Sequence, residues 1–484
     1  MPNETWFRPA LGFVVLITAF RVITLYHADI DLFVDESQYW LWGQELAFGY
    51  YSKPPLIGWT IRLFTEIAGS DAAFWVRLPA PLFHASTALV LGWVASLVLA
   101  PRAAFWVAVG YITLPMVGVG SVLISTDTIM FPFLAASLGM YLRLCQTQRV
   151  VFAVFAGALL GAAFMAKYAA IYFLICAIVA AFLVPSYRPH WRHMPVALLA
   201  FLVVISPNLI WNVVNGFSTA QHTLDNADWV RDPGTKASLN VAGLIEFFLS
   251  QFAVFGPITF GALLAIAVGL VARPKSSIEK LLIWFCVPIL AIVCLQALLS
   301  QAYANWAATA YLAGSIVTFS IIARRLWILL PAIALNLVFC IMLPMATMGG
   351  STLSLNGKTL LLERYIGIQD MSRTIEAIAI AENQTAIVAK NRDILADLFY
   401  TLDRDKWQLA SVPPKKRAPN HYALSYPWAA PYQSDTVLAV IRTRGSLPCA
   451  AQKVAEIKPD QGHYRGQSYT AYIAPADCWK RGQS

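Results

Sequence analysis

Two short stretches near the start of the chain carry residue types that do chemistry. Asp35 and Glu36 stand side by side in Phe33-Val34-Asp35-Glu36-Ser37-Gln38-Tyr39-Trp40, and an ammonium follows at Lys53 in Gly49-Tyr50-Tyr51-Ser52-Lys53-Pro54-Pro55-Leu56. Adjacent carboxylates can take a proton from a hydroxyl, or ligate a cation. At the start of a helix the same acids would simply favour its dipole. Pro54 and Pro55 stiffen the backbone and forbid a helix immediately before them, so Lys53 is held at a fixed turn. Such a point charge suits a phosphate; a lysine snorkelling at a bilayer surface is the plainer alternative.

Other candidates follow along the chain. Asp127, in Ser125-Thr126-Asp127-Thr128, opens an apolar stretch, either as an N-cap or as a partner of the first carboxylates. Lys167 lies between two apolar runs with no acid near it in sequence, and it needs a counter-ion or an anionic ligand. His222, Asp225, Asp228 and Arg231 form a polar loop after Trp211-Asn212, with side chains suited to a sugar, a phosphate or a metal. Tyr51 and Asn305-Trp306 are candidates for a sugar pocket, although an interfacial aromatic belt also explains the tryptophan. Lys415-Lys416-Arg417 reads as a solvated face.

The elements that position these residues are apolar. Hydrophobic residues make up 58% of the 484 and charged residues 13%. That composition excludes an ordinary soluble domain. The net charge of +9, 35 basic minus 26 acidic residues, then reports topology rather than nucleic-acid binding. A span needs roughly 20 apolar residues. On that measure spans centre near residues 18, 88, 111, 134, 158, 177, 204, 257, 290, 313 and 336, and short or broken helices bring the expected count to about 11–13. The first span is expected to be retained rather than removed as a signal peptide. With Arg8 cytoplasmic, the cytoplasmic connections hold Arg102, Arg143, Arg149, Arg188, Arg192, Arg273, Lys275, Lys280, Arg324 and Arg325, as the positive-inside rule requires. Asp35, Glu36, Lys53, Asp127, Lys167, His222 and Arg231 then all fall on the opposite face, as does the tail.

The expected architecture is a transmembrane domain over 1–346 and a C-terminal periplasmic domain over 347–484. The first external loop, 27–74, has aromatic and polar residues interleaved as in interfacial helices. Ala386–Ala389 and Thr436–Ile441 read as buried strands and Ser372–Ala381 and Arg392–Leu402 as helices, giving a small mixed α/β fold. Five of the seven cysteines lie in or beside apolar spans; Cys449 and Cys478, in the tail, would pair in an oxidising compartment. There is no Walker A loop, no Rossmann glycine fingerprint and no paired-histidine or paired-cysteine metal spacing. No soluble cytoplasmic domain is present to meet a nucleotide sugar, so a lipid-linked donor fits better.

With these residues in place, the chain resembles the bacterial lipid-phosphate-dependent glycosyltransferases of the C type, family 39/83, which include the aminoarabinose transferases acting on lipid A and the protein O-mannosyltransferases. The resemblance rests on Asp35-Glu36 before an aromatic-rich helix, Gly49 to Leu56, Asp127 opening a span, Ala166-Lys167, Trp211-Asn212 and Asn305-Trp306. It covers residues 9–346, and the tail agrees in position and size. It implies transfer of a sugar from a polyprenyl phosphate, with inversion, on the periplasmic side of the inner membrane. The acceptor would be lipid A, the lipopolysaccharide core, another glycan or a protein. By this analogy Asp35 activates the acceptor with Glu36 beside it, Asp127 supports the first loop, and Lys53 contacts the donor phosphate with Lys167 and Arg231 as helpers. Tyr51, His222, Asn305 and Trp306 would meet the substrate. Relatives with a metal near this lysine have a glutamate directly before it, where this chain has Ser52, so the resemblance implies no certain cofactor and speaks against a bound zinc, with a divalent metal left open. The competing classes are a lipid-linked-sugar transporter or flippase and a non-catalytic lipid-binding protein. A transporter would place charges along a path between both faces and break helices at matching points of two halves, whereas here the charges gather on one face.

Overall fold

In lipid every backbone polar group must find a partner within its own segment, and the apolar runs accordingly fold as helices. The computed structural model describes residues 4–217, 219, 239–272, 276–349, 354–355, 358–359, 362–415, 417–431 and 434–480. Among these, six helices are long and apolar enough to cross a bilayer: Phe7–Tyr26, Ala73–Ser96, Thr126–Thr147, His193–Val214, Ser277–Leu299 and Leu326–Thr347. Val150–Ala166, Tyr168–Leu183 and Ala310–Ile322 are shorter apolar helices. The chain is a polytopic α-helical membrane protein with a small C-terminal mixed α/β fold.

The run expected as one span near residue 257 is two helices, Val241–Val254 and Pro257–Gly269, bent by 113° at their junction. Gly256 sits at the bend with φ +89°, and a Cβ there would lie 2.2 Å from Asn336 Oδ1. Only glycine meets both conditions. A second close approach joins Val150–Ala166 to His193–Val214. A Cβ on Gly157 would lie 2.0 Å from the Ala197 carbonyl oxygen, and one on Gly161 would lie 2.7 Å from Val204 Cβ. Small residues four apart let two membrane helices cross backbone to backbone, which fixes the helix that ends at Lys167.

The chain divides into two compact units. One comprises Met1–Tyr26, Ser52–Thr60 and Arg77–Met345, and the other His27–Tyr51, Ile61–Val76 and Ala346–Ser484. Most of the first external loop therefore groups with the tail. Asp29 N–H donates to the Thr347 carbonyl and Asp31 N–H to that of Tyr365, both at 2.8 Å. The Asp31 carboxylate accepts from Ile368 N–H at 2.8 Å, capping helix Ile368–Ala381 from the first loop. Asp31 does for that helix start what a local N-cap would do.

Within the tail, β1 (Ser354–Leu355) and β2 (Lys358–Thr359) form a small antiparallel pair. A five-stranded sheet follows, made of β3 (Ala386–Ala389), β4 (Gln408–Ser411), β5 (Thr436–Arg442), β6 (Gln452–Ile457) and β7 (Tyr469–Pro475) in the order β4-β3-β5-β7-β6. β3 is parallel to both neighbours, with Val388 opposite Ala410 and Ala439. β7 is antiparallel to β5 and β6. Val388, Val437, Ala439, Ala474 and Trp428 form a buried core against which Cys449 and Cys478 lie, and the two cysteines are joined by a disulfide with Cα atoms 5.3 Å apart.

Asp397 is a buried carboxyl in helix Arg392–Thr401, accepting from Thr401 Oγ1 at 3.1 Å. Burial pushes its pKa up to about 6. The folded state therefore holds this proton more tightly than the unfolded state. The stabilisation is complete below the unfolded value near 4 and is lost as pH rises through 6. Asp397→Asn keeps the acceptor and removes the charge. It should raise the melting temperature of the detergent-solubilised protein at pH 7.5 and leave it nearly unchanged at pH 3, below the unfolded value, as followed by tryptophan fluorescence.

Candidate active site

Asp127, Lys167 and Asn305 are brought together in the membrane unit. Ser125, not Asp127, is the N-cap of helix Thr126–Thr147, its Oγ accepting from Thr128 N–H at 3.3 Å. Asp127 sits in the first turn, where a carboxylate favours the helix dipole. Lys167 is the C-cap of Val150–Ala166, in extended backbone with φ −155°, at the end of a helix that favours a cation. Antiparallel helices thus present opposite charges at one end. The ammonium donates to both Asp127 oxygens at 2.7 Å, and Asn305 Nδ2 donates to Oδ2 at 3.1 Å. The acid that Lys167 lacks nearby in sequence stands 40 residues away. With side chains only 17% and 10% exposed, Lys167 and Asp127 neutralise each other, and both Asp127 oxygens are engaged.

His84 supports the same helix start. Its ring is buried, with Nε2 3.2 Å from Thr128 Oγ1 and Nδ1 3.1 Å from the Tyr111 hydroxyl. A histidine inside an apolar run carries no sequence signal for such a role. Trp306 lies edge-on to Tyr303, with ring centroids 5.6 Å apart. Lys53 is half-buried ahead of Pro54 and Pro55.

Asp35 and Glu36 lie in the other unit, in the first turn of helix Val34–Gln44, and the structure separates their roles. Glu36 is 2% exposed and its Oε2 accepts from Phe33 N–H at 2.9 Å. That is the back-reaching half of a capping box, since Phe33 has no side-chain acceptor to complete it. Asp35 is 46% exposed and pairs through Oδ1 with the guanidinium of Arg392, the first residue of helix Arg392–Thr401. Arg392 Nε also donates to Gln38 Oε1 at 3.0 Å, so its fork spans Asp35 and Gln38. Burial works against the Arg392 charge, and the Asp35 carboxylate outweighs it, holding the guanidinium above its ordinary value. Beside it, burial and then the Arg392 charge hold the His421 imidazole down to about 4, so it is neutral at pH 7. Among the described residues the second Asp35 oxygen takes no hydrogen bond.

An aromatic layer fixes this helix. Trp42 and Tyr50 stack at 4.8 Å, and the Tyr50 hydroxyl donates to the Trp42 carbonyl at 2.6 Å. Trp40 Nε1 donates to Asp71 Oδ1 at 2.8 Å. Tyr51 is buried, its hydroxyl donating to the Ala418 carbonyl at 3.1 Å. His222, Asp225, Asp228 and Arg231 lie outside the described residues. Among the described residues no group of three or more His, Cys, Asp or Glu is placed to hold a metal ion, and Ser52 offers no carboxylate beside Lys53.

Removing one member of a buried ion pair strands the other. Lys167→Met should lower stability by about 2–4 kcal/mol, while Asp127→Asn/Lys167→Met together should recover much of the loss. Melting of the wild type and the two variants in one detergent checks this, and equal losses for the single and double variants would contradict it.

Three kinds of likeness bear on the chain. The family model described as dolichyl-phosphate-mannose-protein mannosyltransferase matches residues 52–211. The lipid A galacturonosyltransferase RgtD of Rhizobium johnstonii (strain DSM 114642 / LMG 32736 / 3841) is 36% identical over 476 residues, covering 97% of this chain and 99% of its own. Among solved structures, ArnT from Cupriavidus metallidurans bound to undecaprenyl phosphate shares the fold at a TM-score of 0.65 and 12% identity, over 97% of this chain and 98% of its own. The apo form of the same protein matches at 0.64 and 14%, over 96% and 98%.

Proposed function

The chain belongs to the membrane glycosyltransferase family of that lipid A galacturonosyltransferase, and we propose that it moves a uronic acid sugar from a polyprenyl-phosphate donor to lipid A. The end-to-end identity with a lipid A galacturonosyltransferase carries this reading of sugar and acceptor. The polyprenyl donor draws support from the shared fold of a protein that binds undecaprenyl phosphate. The reaction belongs on the periplasmic side of a bacterial inner membrane. The distribution of basic residues favours that side, and a disulfide in the tail suits an oxidising compartment.

Asp35 is the acceptor-activating carboxylate in this proposal. One of its oxygens is held by Arg392 and the other is open to a hydroxyl, whereas both Asp127 oxygens are taken and Glu36 is buried in a cap. The acceptor hydroxyl gives its proton to Asp35 as its oxygen attacks the anomeric carbon from the face opposite the phosphate. The bond from that carbon to the phosphate oxygen breaks, the configuration inverts, and polyprenyl phosphate leaves with the electron pair. Charge grows on the leaving phosphate, and a cation there stabilises the transition state. Lys53 supplies it, with Arg231 as helper. The Asp127–Lys167–Asn305 cluster holds two helix ends and the turn that bears Trp306, so Lys167 acts through Asp127 rather than as a lone cation. Tyr51, His222, Asn305 and Trp306 are the proposed sugar contacts.

Purified protein supplied with galacturonosyl undecaprenyl phosphate and lipid A, read by mass spectrometry, tests the proposal. Asp35→Asn should lower kcat by about 10²–10⁴ with undecaprenyl phosphate binding retained. Lys53→Ala should weaken undecaprenyl phosphate binding by roughly 10- to 100-fold, the loss of one charged hydrogen bond. Wild-type turnover by Asp35→Asn removes it as base, and unchanged lipid binding by Lys53→Ala removes the phosphate contact.

A further inference from the structure

Arg392 lies 357 residues beyond Asp35 and its position holds no recognisable motif, yet it is the side chain that meets the proposed base. We infer that Arg392 is a positioning residue for the transfer reaction, clamping one oxygen of Asp35 so that the other faces the acceptor. The inference rests on the reading of Asp35 as base. A half-exposed aspartate in the first turn of a helix has several rotamers open to it, and each unproductive one lowers the rate. Fixing the reacting group before substrate arrives removes that entropy from the barrier.

The geometry suits the task. The guanidinium is planar and its donors point in fixed directions. One donor reaches Asp35 Oδ1 and another reaches Gln38 Oε1 at 3.0 Å, one helical turn further on. Two anchors on one helix set the orientation of the fork, and the fork in turn sets the carboxylate. The other charged groups nearby do not compete for it. Asp393 is engaged by His463 Nε2 at 3.4 Å, Asp397 is buried with Thr401, and His421 is neutral. The charge of Arg392 is thereby directed to Asp35. The Arg392 side chain is itself only 35% exposed, which limits the directions the fork can take.

Kinetics on galacturonosyl undecaprenyl phosphate and lipid A test the inference, with melting recorded for each variant. Arg392→Gln should lower kcat about 10- to 100-fold, as misplaced reacting groups do, with KM for the donor unchanged within twofold. Arg392→Lys keeps the charge and loses the fork, and should recover part of the loss. Gln38→Ala should show a smaller fall of the same kind. Asp35→Asn/Arg392→Gln should be no slower than Asp35→Asn, because a clamp has nothing to hold once the base is gone. A merely structural arginine would give additive losses that follow melting and would raise KM with them. If Asp35→Asn is inactive but Arg392→Gln turns over at the wild-type rate, or faster, the clamp is overturned and the base survives. If Asp35→Asn retains the wild-type rate, or the wild-type enzyme is inactive on this substrate pair, the underlying reading fails and the clamp falls with it.

Discussion

A charge that leaves water at the edge of a bilayer costs several kcal/mol unless an opposite charge and hydrogen bonds meet it. Asp127 satisfies that condition, and Asp35, a second candidate site acid that is still half in water, also meets a cation, each in its own unit. Asp127 is met by Lys167 and Asn305, and Asp35 by Arg392. Neither arrangement is local. Each joins segments far apart in the chain, so these candidate site residues are placed by the tertiary fold rather than by their own loops.

The pairs differ in exposure, and the difference assigns their work. Lys167 and Asp127 are nearly dry, and helix dipoles of both signs reinforce them. Such a pair is a joint. It ties the start of one helix to the end of its antiparallel neighbour and, through Asn305, to the short turn that carries Trp306. Asp35 and Arg392 remain half in water, where an ion pair adds little to stability. Their contact is better explained by orientation, since a weakly stabilising pair can still restrict a rotamer.

Much of this plan is legible in the sequence, because hydrophobic length and strand patterning are local properties. The apolar runs become helices. The strands expected at Ala386–Ala389 and Thr436–Ile441 are β3 and β5, and the helices expected at Ser372–Ala381 and Arg392–Leu402 agree within a few residues. The break at Gly256 was hidden because hydropathy records apolarity and not φ. Asp127 reads in the sequence as an N-cap or as a partner of the first carboxylates, whereas Ser125, two residues earlier, takes the cap and Asp127 pairs with Lys167. Arg392 and the counter-ion of Lys167 left no trace, since pairing across hundreds or tens of residues imposes no period on the sequence.

The grouping of the first loop with the tail follows from the same economy. Helix Val34–Gln44, expected to be amphipathic and to lie in the interface, is instead buried on nearly every side; it has aromatic faces to cover and carries two acids in its first turn. The tail supplies partners for both needs. Helix Arg392–Thr401 offers a cation at its first residue and Tyr400 further along, whose ring meets Trp40 edge-on at 5.0 Å and whose hydroxyl donates to the Asp71 carbonyl at 2.7 Å. Asp31 repays the contact by capping the helix before β3. A loop held this way at both its charged and its aromatic ends has little freedom left, and the proposed base mounted on it inherits that rigidity. A lysine in place of Arg392 would supply the charge without the fork, which is why the guanidinium rather than the charge alone is what the arrangement requires.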